Sequence, residues 1–302
     1  MTHAPFPEPG STDIALSVRT HDRAADLRVD EAWLADAWSD PRTRVVPLAV
    51  TRFPVSEDGD AVRWRPSSDL PDAERRLFLG LCEGVAHFAL LVDEPDDQAR
   101  WTSLRGVVQT LPEPDAGLMV HAVALAEWHA GHRFCPRCGG RLRVTNAGHV
   151  LTCEQCERQQ FPRSDPAVIM MVTDGDRALL GRQPSWPEGR YSTLAGFVEP
   201  GESLEDAVVR EVAEETGVDV TDVTYFGNQP WPFPQSLMVG FFARATSTEV
   251  SVDGVEISDA RWFTREQMRA EAEAGTLVLP GGVSISRSLV EAWYGAPLPG
   301  SW

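Results

Sequence analysis

The sequence predicts an α+β fold in three parts, and three observations carry the prediction. Short apolar stretches broken by Pro/Asp-rich turns fill residues 39–111, two Cys-x-x-Cys pairs follow at 135–156, and one strongly signalled helix at 203–216 lies among β-like segments beyond them. The expected parts are a strand-rich domain with a connecting helix at 1–130, a four-cysteine zinc ribbon at 131–163, and a domain of layered helices and strands at 164–302.

In chain order, residues 1–20 are Pro-, Gly- and Thr-punctuated and predict a ragged arm or a loose first strand. The apolar stretches at 45–50, 88–92 and 104–108 read as strands. A turn at 112–117 gives way to 118–128, whose Ala/Leu content and spacing predict a helix leading into the cysteines. Beyond them, 167–172 and 178–180 flank Asp174-Gly175-Asp176, the pattern of a β-hairpin. Further strands are expected at 223–226, 237–245 and 261–263, with late helices near 264–274 and 284–294.

Composition excludes several classes. With 42% hydrophobic and 24% charged residues over 302 positions, the chain has the makeup of a globular protein rather than a disordered or fibrous one. Its 27 basic against 45 acidic residues give a formal charge of −18, which argues against a sequence-independent DNA coat. No uncharged apolar run approaches the roughly 18–20 residues that a membrane helix needs. The first residues lack the basic and apolar regions of a signal peptide, so a cytoplasmic location is expected.

Cys135, Cys138, Cys153 and Cys156 form two pairs with 14 residues between the inner cysteines, the spacing of a tetrahedral Zn²⁺ ribbon. Gly139 and Gly140 permit the tight backbone of a metal knuckle. Closed four-sulfur coordination leaves no position for water, so this zinc is expected to hold structure while chemistry happens elsewhere. A redox role for either pair is the lesser alternative. Cys82 reads as a small buried hydrophobe. Arg133, Arg137, Arg141, Arg143 and Arg158 make the stretch locally basic; it reads as a solvated face ahead of a nucleic-acid contact.

The most informative stretch runs from Gly196 to Val218. Ser203 with Asp206 looks like an N-terminal cap, and Gly217 suits the left-handed position past a helix end. On the helix between them, Glu211, Glu214 and Glu215 fall within an arc of about 100°. Three like charges stacked near a helix C-terminus repel each other and oppose the helix dipole, so a cation should compensate them. Oxygen-only ligands at this density suit Mg²⁺ or Mn²⁺ shared with a phosphate-bearing substrate.

The same stretch resembles the Nudix box, G-x5-E-x7-R-E-U-x-E-E-x-G-U, through Gly196, Glu202, Arg210, Glu211, Val212, Glu214, Glu215, Gly217 and Val218. The resemblance implies a C-terminal Nudix α/β/α sandwich and a strand-rich, Nudix-like N-terminal domain. It further implies that Glu211, Glu214 and Glu215 bind divalent cations, with Glu202 and Arg210 as a bracing ion pair. Ten residues after the box, Asn228-Gln-Pro-Trp-Pro-Phe-Pro-Gln-Ser236 resembles the SQPWPFPxS signature of NADH pyrophosphatases, with Asn in place of the first Ser. Three prolines stiffen it and fix Trp231 and Phe233 as apolar surfaces. By the same resemblance Phe161, Phe197, Gln229, Trp231, Phe233, Ser236 and Met238 belong to a nucleotide pocket. Glu256 matches a downstream metal-binding glutamate, with Asp259 as its substitute one turn on.

The resemblance thus implies Mg²⁺- or Mn²⁺-dependent cleavage of the pyrophosphate of NADH or NAD⁺ to nicotinamide mononucleotide and AMP. The ions would be held by Glu211, Glu214, Glu215 and Glu256, with Glu215 first and Glu256 second as proton acceptor. Removal of NAD caps from RNA is an implied second activity, and a homodimer is implied as well. Two alternatives stay open: a Nudix hydrolase of ADP-ribose or a dinucleoside polyphosphate, and a non-catalytic nucleotide sensor.

Overall fold

A computed structural model describes residues 14–70, 75–95, 99–252 and 254–300. Most of the ragged arm expected at 1–20 lies outside them; residues 14–20 form turns and irregular backbone. Two compact units emerge. Among the described residues, one comprises those of 18–164 with 231–235; the other holds 14–17, 165–230 and those from 236 to 300.

The first unit opens with helix α1 (Glu31–Ser39), whose N-cap Asp30 accepts a hydrogen bond from the Trp33 amide at 2.9 Å. Then come β1 (Arg44–Leu48), β2 (Arg52–Val55), β3 (Arg76–Cys82), β4 (Val85–Leu91) and β5 (Arg100–Ser103). β4 is the centre of a three-stranded sheet, parallel to β1 and antiparallel to β3, while β2 pairs with β5. Glu83 and Gly84, at φ 51° and 75°, make the two-residue turn between β3 and β4, where both positions need positive φ. Val45, Phe78, Phe88 and Leu90 form a core closed over by Trp33, Leu34, Ala37 and Trp38 of α1.

The stretch expected as a strand at 104–108 is instead a short helix, α2 (Leu104–Val107), because Leu104 and Val107, one helical turn apart, are the residues buried. The connecting helix α3 (Glu113–Gly131) starts five residues before the expected 118, since Pro114 in the first turn has a φ suited to helix and no amide to strand. The ribbon follows as a three-stranded sheet, β6 (Leu142–Thr145), β7 (Val150–Cys153) and β8 (Gln159–Gln160).

The second unit is a six-stranded mixed sheet of β9 (Asp165–Thr173), β10 (Arg177–Arg182), β11 (Leu194–Phe197), β12 (Val220–Trp231), β13 (Ser236–Ala245) and β14 (Asp259–Thr264). Helices α4 (Leu204–Thr216), α5 (Arg265–Glu273) and α6 (Ile285–Tyr294) cover it. The expected hairpin is present: β9 and β10 are antiparallel about Asp174-Gly175-Asp176. Strand β9 shows why both faces are covered. Val168, Met170 and Val172 pack with Ala207, Val208 and Val212 of α4, whereas Ile169 and Met171 pack with Ile285, Leu289 and Val290 of α6. Apolar residues at both parities of one strand need a helical layer on each side, which makes an α/β/α sandwich. Among the described residues no helix is long and apolar enough to cross a membrane.

Candidate active site

Strand β9 and helix α4 build the site. β11 pairs with one edge of β9, matching Phe197 to Ala167, and β13 pairs with the other, matching Met238 to the same Ala167. Directly paired residues share a sheet face, so Phe197 and Met238 flank a small residue and leave a slot between them. Phe197 is 59% exposed there. Ser236, paired with Asp165, stands two residues along β13 from Met238 and on the same face.

Helix α4 starts where expected. Ser203 Oγ accepts from the Asp206 amide at 3.1 Å, and Gly217 ends the helix at φ 68°. Val208 and Val212 are fully buried against the sheet, which turns Glu211 and Glu215 inward; both are buried, at 7% and 5% exposure. Glu214 stays solvent-facing. A Cβ placed on Gly196 would fall 1.9 Å from Cδ of Glu211, so only glycine at 196 leaves room for this carboxylate.

Arg210 organises the loop before α4. Its guanidinium donates to Glu202 at 2.6 and 3.1 Å, to the Phe197 carbonyl at 3.0 Å, to Glu211 at 2.9 Å and to Glu214 at 3.0 Å. Glu202 in turn accepts from the Glu199 amide at 2.7 Å. The Arg210 hydrogen bonds hold the Glu202 carboxyl below its ordinary range, and the carboxylates, Glu202 foremost, raise Arg210 further. Glu211 moves the other way: burial pushes it up more than Arg210 pulls it down, with Glu214 and Glu256 adding repulsion.

These groups line a cavity of about 660 Å³, a size suited to a small-molecule ligand. Phe197, Ser236, Met238, Arg210, Glu211, Glu214, Glu215 and Glu256 all border it. Glu256 reaches it from the loop before β14, where the buried Ile257 anchors the chain. Asp259 does not line it; its carboxylate accepts from the Tyr191 hydroxyl. Gln229 also lies elsewhere. It is 1% exposed, its Nε2 donates to the carbonyls of Ala15 and Val283 at 2.7 and 2.6 Å, and its Oε1 accepts from the Ile285 amide. Trp231 and Phe233 pack edge to face at 5.1 Å in the other compact unit, with the Arg105 guanidinium 4.7 Å over Phe233. Phe161 belongs to that unit too and is 53% exposed. Glu199, which the sequence presents only as a spacer of the box, lines the cavity; its signal is an acidic side chain inside a Gly-bounded loop.

The donor set fits a divalent cation. Every charged ligand candidate is a carboxylate, one of them buried in a cradle that a single methyl group would fill, and their mutual repulsion is offset in part by Arg210. Among the described residues only the four cysteines bring three or more ligand atoms within 4.8 Å of one another. Their sulfurs are 3.5–3.8 Å apart in the pairs Cys138–Cys153, Cys138–Cys156 and Cys135–Cys156. Backbone amides at Arg137 and Cys138 pull the Cys135 thiol down to about 7, toward the thiolate that zinc binds. At Gly140 a Cβ would lie 3.0 Å from the Cys153 sulfur, so the first knuckle needs glycine there.

Comparison with known proteins finds three domain models along the chain. The NUDIX domain model matches residues 163–278, an NADH pyrophosphatase-like rudimentary NUDIX domain matches 39–128, and an NADH pyrophosphatase zinc ribbon domain matches 130–161. The NAD-capped RNA hydrolase NudC of Mycobacterium bovis (strain BCG / Pasteur 1173P2) is 40% identical over 295 residues, covering 90% of this chain and 92% of its own. The human NAD-capped RNA hydrolase NUDT12 is 44% identical over 196 residues, 61% of this chain and 42% of its own. A solved NUDIX hydrolase from Nitrosomonas europaea aligns with 56% of this chain and 97% of its own, at 21% identity and a TM-score of 0.44.

Proposed function

Because the chain belongs to the Nudix hydrolase family, with a zinc ribbon and an NADH pyrophosphatase-like N-terminal domain, we propose that it hydrolyses the diphosphate bond of NADH and NAD⁺ and removes NAD caps from RNA. The observation that carries this reading is the joining, in one cavity, of the Glu211, Glu214, Glu215 and Glu256 carboxylates with the Phe197–Ala167–Met238 slot. The first suits a diphosphate with its cation, the second a flat ring.

Glu211, Glu214, Glu215 and Glu256 would hold Mg²⁺ or Mn²⁺, which supplies charge neutralisation for the diphosphate and acidifies a water. The chain's own groups do the rest. Phe197 and Met238 clasp a ring of the dinucleotide, and Ser236 offers a hydroxyl beside it. Arg210 and Glu202 fix the loop that presents Phe197. Glu215, on the inner wall, accepts the proton of the attacking water, with Glu256 the second choice. Water oxygen adds to one phosphorus and the bridging P–O bond breaks, leaving AMP and nicotinamide mononucleotide. Phe161, Trp231 and Phe233, which the resemblance gives to a nucleotide pocket, do not line this cavity, and Gln229 braces the chain at Ala15, Val283 and Ile285.

A homodimer is read from the resemblance to the family, and a cytoplasmic location from the two cysteine pairs, which suit a metal in a reducing compartment. Products from NADH, ADP-ribose and a dinucleoside polyphosphate, identified by mass and compared by kcat/KM, test the substrate. Preference for NADH supports the proposal; preference for either of the others replaces it.

A further inference from the structure

A second cavity, of about 540 Å³, lies within the unit of residues 18–164 and plays no part in the chemistry above. Its walls are largely apolar, with Leu48 at the end of β1, Ala126 and Ala130 on α3, and Leu142, Val144 and Leu151 of the ribbon sheet, while His129, His132 and the Arg75–Asp93 ion pair supply the polar part of the lining. Two large apolar side chains at its edge are open to solvent, Phe134 at 59% and Val50 at 46%. Arg133 and Arg141 border it as well. An isolated antiparallel bridge sets Phe134 directly opposite Arg141, so ring and guanidinium stand side by side on one face. Among the described residues no carboxylate pairs with Arg133 or Arg141, whereas Arg75 is held by Asp93 at 2.8 Å.

Charge strengthens the case. Although the whole chain carries −18, residues 128–153 contain four arginines and no Asp or Glu, and all 27 basic residues of the chain are arginine. Arginine binds phosphate through a planar fork and also stacks on bases. An exposed aromatic beside guanidinium groups that no described carboxylate pairs, over a largely apolar trough, matches what single-stranded nucleic acid requires: a stacking platform and a neutralised backbone.

We propose that this groove seats a single-stranded stretch of RNA, one base on Phe134 with Val50 beneath it and flanking phosphates on Arg133 and Arg141. The proposal rests on the capped-RNA reading for its physiological substrate. It gives the basic ribbon, which reads from sequence as a solvated face, a binding role.

The test uses the full-length, zinc-loaded protein with three exposed substitutions, Phe134→Ala, Arg133→Gln and Arg141→Gln, with zinc content as the check on folding. Turnover is measured on free NADH and on a 5′-NAD-capped single-stranded oligonucleotide, and binding on the same oligonucleotide uncapped, by fluorescence anisotropy across a salt series. The expected result is unchanged kcat/KM on NADH, a KM for the capped strand raised about tenfold by Phe134→Ala, and a shallower salt dependence of binding for the arginine variants. Equal effects on NADH and capped strand, or none on either, overturn the groove. An unchanged anisotropy with a concentration-dependent mass abolished by Phe134→Ala overturns it in favour of a second copy of the chain. If neither substrate is hydrolysed, the catalytic reading fails while anisotropy still decides the groove.

Discussion

The carboxylate of Glu211 rests against the Cα of Gly196, so close that a Cβ at 196 would lie 1.9 Å from its Cδ. Two positions 15 residues apart in sequence therefore constrain each other, one through what it lacks and the other through a buried charge. Gly196→Ala should push Glu211 out of the cavity wall. A displacement near 1 Å at a reacting centre costs about a hundredfold in rate, so kcat on NADH should fall by that order while the far-UV spectrum is kept. Wild-type kcat in the alanine variant would refute the cradle.

Arg210 binds four partners through a planar fork that lysine cannot reproduce. Arg210→Lys should lower stability by about 1–2 kcal/mol, as expected for charge-assisted hydrogen bonds in a half-buried setting, and lower kcat along with it. Urea unfolding and steady-state kinetics on one preparation check both effects. A loss of kcat with unchanged stability would contradict the bracing role.

Phe197 stands exposed at the edge of its slot, and under the proposed function its ring meets a ligand rather than the core. Phe197→Ala should raise KM for NADH about tenfold with little loss of stability, the scale of one aromatic contact. Kinetics with NADH varied at fixed Mn²⁺ would show it; a destabilised protein with normal KM would assign the ring to packing instead.

A histidine stack in the first unit sets a pH limit. His21 and His121 rings lie 5.5 Å apart and nearly parallel, and His149 lies 5.3 Å from His121. Burial, helped by Arg23 and Arg28, holds His21 and His149 down to about 4 and His121 well below its ordinary value. The folded chain thus binds fewer protons than the unfolded one between about 6.5 and 4. Stability from this cluster is fully present above about pH 6.5 and is lost as pH falls toward 4. Urea midpoints should drop over that window, and His121→Gln should flatten the drop. Midpoints that rise on acidification would contradict the buried neutral state.

The zinc ribbon has three short strands, and Cys135 and Cys153 are buried within it. Chelation should release zinc and melt β6–β8 together, as metal binding supplies folding free energy in such small sheets. Zinc release monitored with hydrogen exchange at Leu151 and Thr152 tests this; protection retained after complete zinc loss would show a self-sufficient sheet.

Much of this was legible from sequence where local chemistry and tertiary need coincide. Ser203, Gly217 and the Val208/Val212 pair define α4 by capping and periodicity, and the cysteines define the ribbon by spacing. Legibility failed where long-range contacts decide. Leu104 and Val107 look like strand residues until burial selects the helical pair, and Gln229 looks like a pocket polar group until its amide is found bonded to Ala15, Val283 and Ile285. Helix α1 carried a readable signal in Asp30 and the spacing of Trp33, Leu34, Ala37 and Trp38, but its half-buried face is faint among the surrounding acids. That Phe197 and Met238 meet over Ala167 depends on strand register, which no local pattern encodes.

The most direct test is turnover of NADH with Mg²⁺ or Mn²⁺ by wild type and by Glu215→Gln at matched zinc content and thermal midpoint, with products identified by mass. AMP and reduced nicotinamide mononucleotide from the wild type, and an intact NADH pool with the folded variant, are the predicted results. Equal product from both would remove Glu215 from the chemistry, and no product from either would contradict hydrolysis of this diphosphate at the carboxylate-lined cavity.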